Sequence, residues 1–259
     1  MNQWIAIALV LAGCSSKPKG TNDMPDTPTT PSDGLIVGDA IQNVPGQPGL
    51  GAHGIAFYHL QANSMTSIQT PLMNTQASGS TMIVSQGRGQ ISAFQLPTDN
   101  KGNSPYQQLG QNEPYHYFPT SGTAIYTFPT MTGGAGEVVR TGTQAQDEIT
   151  LAAVEVVNAT RIEEFEWSEV LNAPVTSKKV TTTGPATLVA FWWGEADSQP
   201  NPQHAAVQDG FTIIDYALDA GSLVQCAVAV KNVATAGMYD VTWTATPVQG
   251  AQLWLIAVQ

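Results

Sequence analysis

Positive charge is what this chain has least of. Nine lysines and arginines stand against 20 acidic residues in 259, leaving a net charge of −11 with charged residues at only 11 %. No Lys/Arg cluster is available to neutralise phosphates, which argues against a nucleic-acid partner. Cysteine is almost absent too. Cys14 and Cys226 allow at most one disulfide and no metal knuckle built from Cys alone. Long apolar runs are missing: the stretch Trp4–Ala12 is about nine residues, where a membrane-spanning helix needs roughly 20. Helical periodicity is nearly absent, and no repeat of fixed period stands out, which disfavours solenoids and propellers.

Catalytic signatures are lacking as well. His53, His59, His116 and His204 are scattered, without H-E-x-x-H or H-x-H spacing, so zinc has no local support. Neither G-x-S-x-G nor a Cys-His signature occurs. The glycine-rich Gly133-Gly134-Ala135-Gly136 lacks the Lys and Ser/Thr of a phosphate loop and reads as a turn. No cofactor and no metal are expected, and no enzyme activity is anticipated.

What is present begins at the front. The run MNQWIAIALVLAGCSSK carries Leu11-Ala12-Gly13-Cys14, an aliphatic residue, two small ones and a cysteine. This resembles the lipobox of bacterial lipoproteins. The resemblance implies a signal peptide over residues 1–13, cleavage before Cys14 and lipidation of Cys14, so that the lipid makes the membrane a partner. The n-region MNQW departs from the pattern in having no Lys or Arg. Ser15 and Ser16 follow the cysteine where an Asp could have signalled inner-membrane retention, which favours an outer-membrane or cell-surface destination.

Residues 14–50 are then dominated by Pro, Thr, Ser, Asp and Gly. A segment with so little to bury cannot offset its ordering entropy and reads as an extended tether. The insert GLIVGDAI offers a short first strand. From about Gly51 to Gln259 the chain reads as a single all-β domain, an antiparallel sandwich or jelly roll. Its evidence is a series of β-rich runs bounded by turn residues: 81–85, 123–128, 148–156, 186–193, 211–218, 223–230, 239–245 and 253–258. In the run 239–245, Tyr239, Val241, Trp243 and Ala245 alternate with Asp240, Thr242 and Thr244, as a half-buried strand requires. The closing QLWLIAVQ is more continuously apolar and suits a strand buried on both faces. Helix is expected only in short pieces, near Trp167–Leu171.

The series GSTMIVSQGRG, PTDNKGNSPYQQLG, SGTAIYTF, GMYDVTWTA and QLWLIAV is similar to β-sandwich modules of bacterial secreted and surface proteins. These pair a D-x-x-G-N-x-Y-type hairpin with a late Y-x-V-x-W strand. The similarity covers most of Ser78–Gln259 and implies fold and location more than activity.

Four stretches offer chemistry. Asp99-Asn100-Lys101-Gly102-Asn103 has the oxygens of a calcium loop but puts a lysine in its middle, so a hairpin turn is the simpler reading. Trp192 and Trp193 alternate across a strand that ends in a long loop bearing Glu195, Asp197 and Asn201. One exposed indole there would stack on sugar faces while the polar groups take hydroxyls; the alternative buries one indole on each side of a layered structure. The acidic run Arg161–Glu169 reads as a solvated rim with Phe165 and Trp167 turned inward, and only secondarily as a general acid and base pair. His116, within Tyr115-His116-Tyr117-Phe118, could line a ligand groove or be a surface loop residue. Together these readings describe a surface-anchored lipoprotein that binds a glycan or other extracellular ligand. The alternatives are a structural or adhesive envelope protein and, more weakly, a sandwich-fold glycoside hydrolase.

Overall fold

A computed structural model describes residues 41–58, 66–144, 147–172, 174–195, 204–218, 224–246 and 251–259, with the side chains of 195, 204, 245 and 246 outside that description. Cys14, the insert GLIVGD and His59 lie outside the described residues. The protein is all-β and antiparallel, built from layered sheets.

The strands fall into two sets. The first comprises β1 (Gly49–Tyr58), β2 (Ser67–Gln69), β3 (Ser80–Arg88), β4 (Thr98–Asp99), β5 (Gln107–Pro114), β6 (Gly122–Met131), β7 (Val139–Gly142) and β8 (Ile149–Val157). The second comprises β9 (Ile162–Val170), β10 (Val175–Thr176), β11 (Val180–Thr182), β12 (Ala186–Glu195), β13 (His204–Val207), β14 (Thr212–Ala217), β15 (Val224–Val233), β16 (Gly237–Tyr239), β17 (Thr242–Thr246) and β18 (Ala251–Val258).

Within the first set the chain forms a folded ribbon, β1 on β8, β2 on β7 and β3 on β6, and rolling that ribbon brings β8 beside β3 and β7 beside β4. That is jelly-roll connectivity. The second set does the same: β9 on β18, β10 on β17, β12 on β15, then β18 beside β12 and β17 beside β13. The large sheets run β1-β8-β3-β6-β5 and β9-β18-β12-β15-β14, and the small ones β2-β7-β4 and β10-β17-β13. The second roll adds a β11-β16 pair.

The chain is therefore two jelly rolls in tandem, a repetition the sequence does not display. The offset between equivalent strands drifts from 113 residues (Gly49 to Ile162) to 102 (Ile149 to Ala251), so no fixed period survives. Two further expectations are corrected. The stretch around Trp167–Leu171 is mostly strand β9 rather than helix, and the run 239–245 breaks at Asp240–Val241 into β16 and β17. The folded body also begins before residue 51. Ile41 packs into the central core, the Asn43 amide bonds Leu50 O at 2.7 Å, and Asn232 Nδ2 donates to Gln42 O at 3.1 Å.

The two rolls meet large sheet to large sheet. His53 on β1 touches Asp215 on β14 at 2.8 Å, and β8 packs on β15. Gly87 on β3 lies against Trp193 on β12, Trp254 on β18 donates its indole N–H to Thr123 Oγ1 on β6 at 2.8 Å, and Gly110 on β5 sits against Phe165 on β9. Each strand thus faces the counterpart that a two-fold axis along the strands prescribes: β1 and β5 swap partners, β6 and β8 swap partners, and β3 meets its own equivalent.

The central strands of both large sheets, β3, β8, β12, β15 and β18, are consequently buried on both faces, and β12 and β18 read as nearly continuous apolar runs for that reason. Alternation sends Leu188, Ala190 and Trp192 into the second roll, and Val189, Phe191 and Trp193 into the centre. The central faces differ in size. The first sheet offers Ser85, Gly87, Thr123 and Ala152, and the second offers Phe191, Trp193, Val228 and Trp254. Some of the polar atoms trapped there are joined in series: Thr123 Oγ1 donates to Gln252 Oε1 at 2.7 Å, and Gln252 Nε2 donates to Glu113 O at 3.0 Å, while Trp193 Nε1 and Thr150 Oγ1 have no hydrogen-bond partner.

A methyl group at Gly87 would lie 2.0 Å from Trp193 Nε1 and 2.8 Å from Thr150 Oγ1. Gly87→Ala is expected to destabilise the protein by about 1–3 kcal/mol through overpacking. Calorimetry should show one lowered transition for both rolls, while Gly184→Ala, whose nearest neighbour is at 3.9 Å, melts like the parent.

Candidate functional site

The strand directions gather eight connections at one end of the molecule, among them β3–β4, β5–β6, β7–β8, β9–β10 and β12–β13. This loop end is where β12 stops at Glu195 and where the hairpin 114–122 turns. The opposite end holds the start of β1, the end of β18 and the N-terminal segment from Ile41.

The expected glycan platform does not form. Trp192 is 0 % exposed in the core of the second roll, and Trp193 is 1 % exposed in the centre. The reading that puts one indole on each side of a layered structure is the one observed. The physical reason is the second buried face: in a single sandwich one of two adjacent residues meets solvent, whereas here a second roll covers it. Glu195 ends β12 with its side chain outside the described residues, where Asp197 and Asn201 also lie.

The aromatic surface at the loop end comes from the neighbouring hairpin. Tyr115 is buried, its ring set edge-on to Trp193 with centroids 5.3 Å apart. Phe118 stacks on Tyr115 at 6.3 Å, and Tyr117 meets it edge-on at 5.7 Å. Tyr117 is 53 % and Phe118 40 % exposed, and His116, 5.3 Å from Tyr117, is exposed as well. The loop is held from both rolls. Tyr115 N donates to Ser121 O at 2.8 Å, Ser121 N to Phe118 O at 2.8 Å, and His116 N to Glu169 Oε1 on β9 at 2.7 Å.

Below it, Arg88 ties two further loops of the same end. Its Nε donates to Asp147 Oδ2 at 2.8 Å and its Nη1 to Ala93 O and Gly142 O at 2.7 and 3.1 Å. Burial raises the Asp147 carboxyl, with Arg88 acting against that shift. The result is two exposed rings on a rigid base, able to stack on the flat apolar face of a ligand without an ordering cost. The sequence pointed to this loop through His116 but did not single out Tyr117 and Phe118 as its exposed rings. The available signal was four aromatic or imidazole rings between Pro114 and Pro119, in a turn where no alternation demands burial.

The remaining candidates are structural. Asp99 accepts four hydrogen bonds, from Lys101 N, Asn103 N, Asn103 Nδ2 and Tyr106 Oη, at 2.8 to 3.0 Å, which leaves its carboxylate saturated as the hub of a turn. In the acidic run, Glu163 Oε1 accepts from Thr183 N at 2.8 Å and Thr183 Oγ1 at 2.6 Å, and Glu164 Oε2 accepts from Thr181 N. Phe165 and Trp167 turn inward against the central core, as expected. Cys226 is buried, and burial pushes its thiol up. Among the described residues, no three His, Cys, Asp or Glu side chains gather as a metal site. No protein-family model, curated protein or solved structure matches the chain.

One carboxyl at the opposite end, near the start of β1, titrates unusually. Glu137 is fully buried, takes a short hydrogen bond from Thr75 through Oε2, and has no partner at Oε1. Burial raises its pKa to about 7; Thr75 and Lys101 act against the shift, and Asp99 and Glu155 add to it. The folded state therefore holds a proton that the unfolded chain releases near pH 4.5. The stability this contributes is complete below that pH and is lost as pH rises through about 7. Urea midpoints should fall between pH 5 and pH 8, and Glu137→Gln should remove a difference on the order of 3 kcal/mol across that window.

Proposed function

We propose that this protein is a lipid-anchored recognition module of the bacterial cell envelope, held by a diacylglyceryl group on Cys14 and presenting its loop end to an extracellular ligand. The observation that carries this reading is the polarity of the domain. The chain from the lipobox enters at Ile41–Gly49, at the end of the sandwich opposite Tyr117 and Phe118. Ten-residue strands such as β1 separate the two ends by about 33 Å.

Between Cys14 and Ile41 the sequence separation is 27 residues. On this reading the lipid is joined to the domain at the end away from Tyr117 and Phe118, which leaves those rings free to meet a ligand. The abundance of Thr, Gln and Asn and the net charge of −11 fit an extracytoplasmic surface that repels anionic neighbours.

Two measurements test this. Metabolic labelling with an alkyne fatty acid should tag the protein, and Cys14→Ser should abolish the tag. With the Cys14→Ser chain as soluble parent, retention on intact cells and isolated envelopes should drop at least tenfold in Tyr117→Ala/Phe118→Ala at unchanged melting temperature. Equal retention of parent and variant overturns the proposed surface.

A further inference from the structure

Beside the aromatic loop, β5 reads QQLGQNEP, a strand with almost nothing to bury. It is the edge of its sheet, paired only with β6, and its ladder is broken: Leu109 opposes Ile125 and Glu113 opposes Thr123, so four steps on β5 face two on β6. The surplus at Gly110-Gln111-Asn112 forms a bulge. Gly110 adopts φ 67° and lies against Phe165 and Trp254, which turns the two amides after it outward. An edge so distorted cannot serve as a template for another strand.

What it displays instead is amide. Gln107, Gln108, Gln111 and Asn112 are all exposed. They are partly ordered among themselves: Gln108 Nε2 donates to Asn112 Oδ1 at 2.9 Å, and the Gln111 side chain bonds the Glu113 carboxyl. Ile91 connects this row to the aromatic loop, since its carbonyl accepts Asn112 Nδ2 at 3.5 Å and its N–H donates to Thr120 O at 2.7 Å.

Carboxylates lie in the row and beside it. Glu113 belongs to the same strand, Glu169 accepts from His116 N in the neighbouring loop, and Lys178, the cation that reaches Glu113, is shared with Glu166 at 3.6 Å. Amides donate and accept together, so they match hydroxyl groups better than ionic ones. Rings beside them match the C–H face of a sugar.

Resting on the recognition reading above, we infer that the ligand is an uncharged polysaccharide, lying along the outer edge of β5 with its hydroxyls on Gln108, Gln111 and Asn112 and one sugar face on Tyr117 and Phe118. Glu113 and Glu169, within a chain of net charge −11, disfavour polyanionic ligands by repulsion.

Affinity electrophoresis of the full Cys14→Ser chain tests this in gels containing dextran, xylan or mannan, with polygalacturonate and heparin as anionic probes. Retardation by at least one neutral polymer and by neither anionic one is expected. Gln108→Ala/Asn112→Ala and, separately, Gln111→Ala should weaken that retardation at least fivefold without shifting the melting temperature. Retardation by none of the neutral polymers, by the anionic ones alone, or unchanged retardation in all amide variants overturns the inference. If envelope retention through Tyr117 and Phe118 persists in those cases, the recognition surface stands and only the ligand class falls. If Tyr117→Ala/Phe118→Ala changes neither assay, both fall.

Discussion

Everything in this protein is organised around the contact of Trp193 with Gly87. A ten-residue strand of almost unbroken apolar character, β12, can be soluble only when both its faces are covered. One roll covers the first face through its own small sheet, and a second roll must cover the other. The bulky central face of β12 and β18 needs a bed of small residues, and β3 and β6 supply it with glycine, serine and threonine. Size complementarity replaces the interdigitation of equals found in many sandwich cores. The trapped hydroxyl of Thr123 and the amide of Gln252 are then satisfied by a chain of bonds that crosses between the rolls, so register and polar pairing are set at the same place.

The loop end inherits its rigidity from that contact. Tyr115 rests on Trp193, Phe118 rests on Tyr115, and Glu169 of the second roll fixes the backbone of His116 in the first. A surface assembled from two rolls in this way holds its shape only while the central interface is closed. The opposite end, where β1 starts, is built differently. Asp99 and Glu155 are carboxyls absorbed by turns and edges, where they fix loop geometry, and Glu137 adds a pH-dependent share of stability.

The all-β class and most long strands were legible in the sequence, because period-two alternation and turn residues are local signals. QLWLIAVQ was readable as a strand buried on both faces, and that was the strongest hint of a second layer. What was not legible has a common cause. Whether Trp192 or Trp193 meets water depends on what covers the sheet, which no window of ten residues contains. The polar strand β5 was missed because an edge strand with a bulge has no apolar stripe to show. The duplication stayed hidden because its connections differ in length, and the small strands that complete each roll are only two to five residues long.

The same central contact separates this protein from a symmetric dimer of a single roll. Gly87 pairs with the second residue of β8 and Trp193 with the second residue of β18, so the two occupy matching rungs of equivalent ladders and face each other near the two-fold axis. In a homodimer one gene position would fill both places, giving indole against indole, a clash, or glycine against glycine, a void. Joining both rolls in one chain frees the two positions to diverge into a knob and its hole. That divergence makes the pairing directional: each roll fits the other and neither fits a copy of itself, which protects the buried sheets from exchanging partners between neighbouring molecules while they fold.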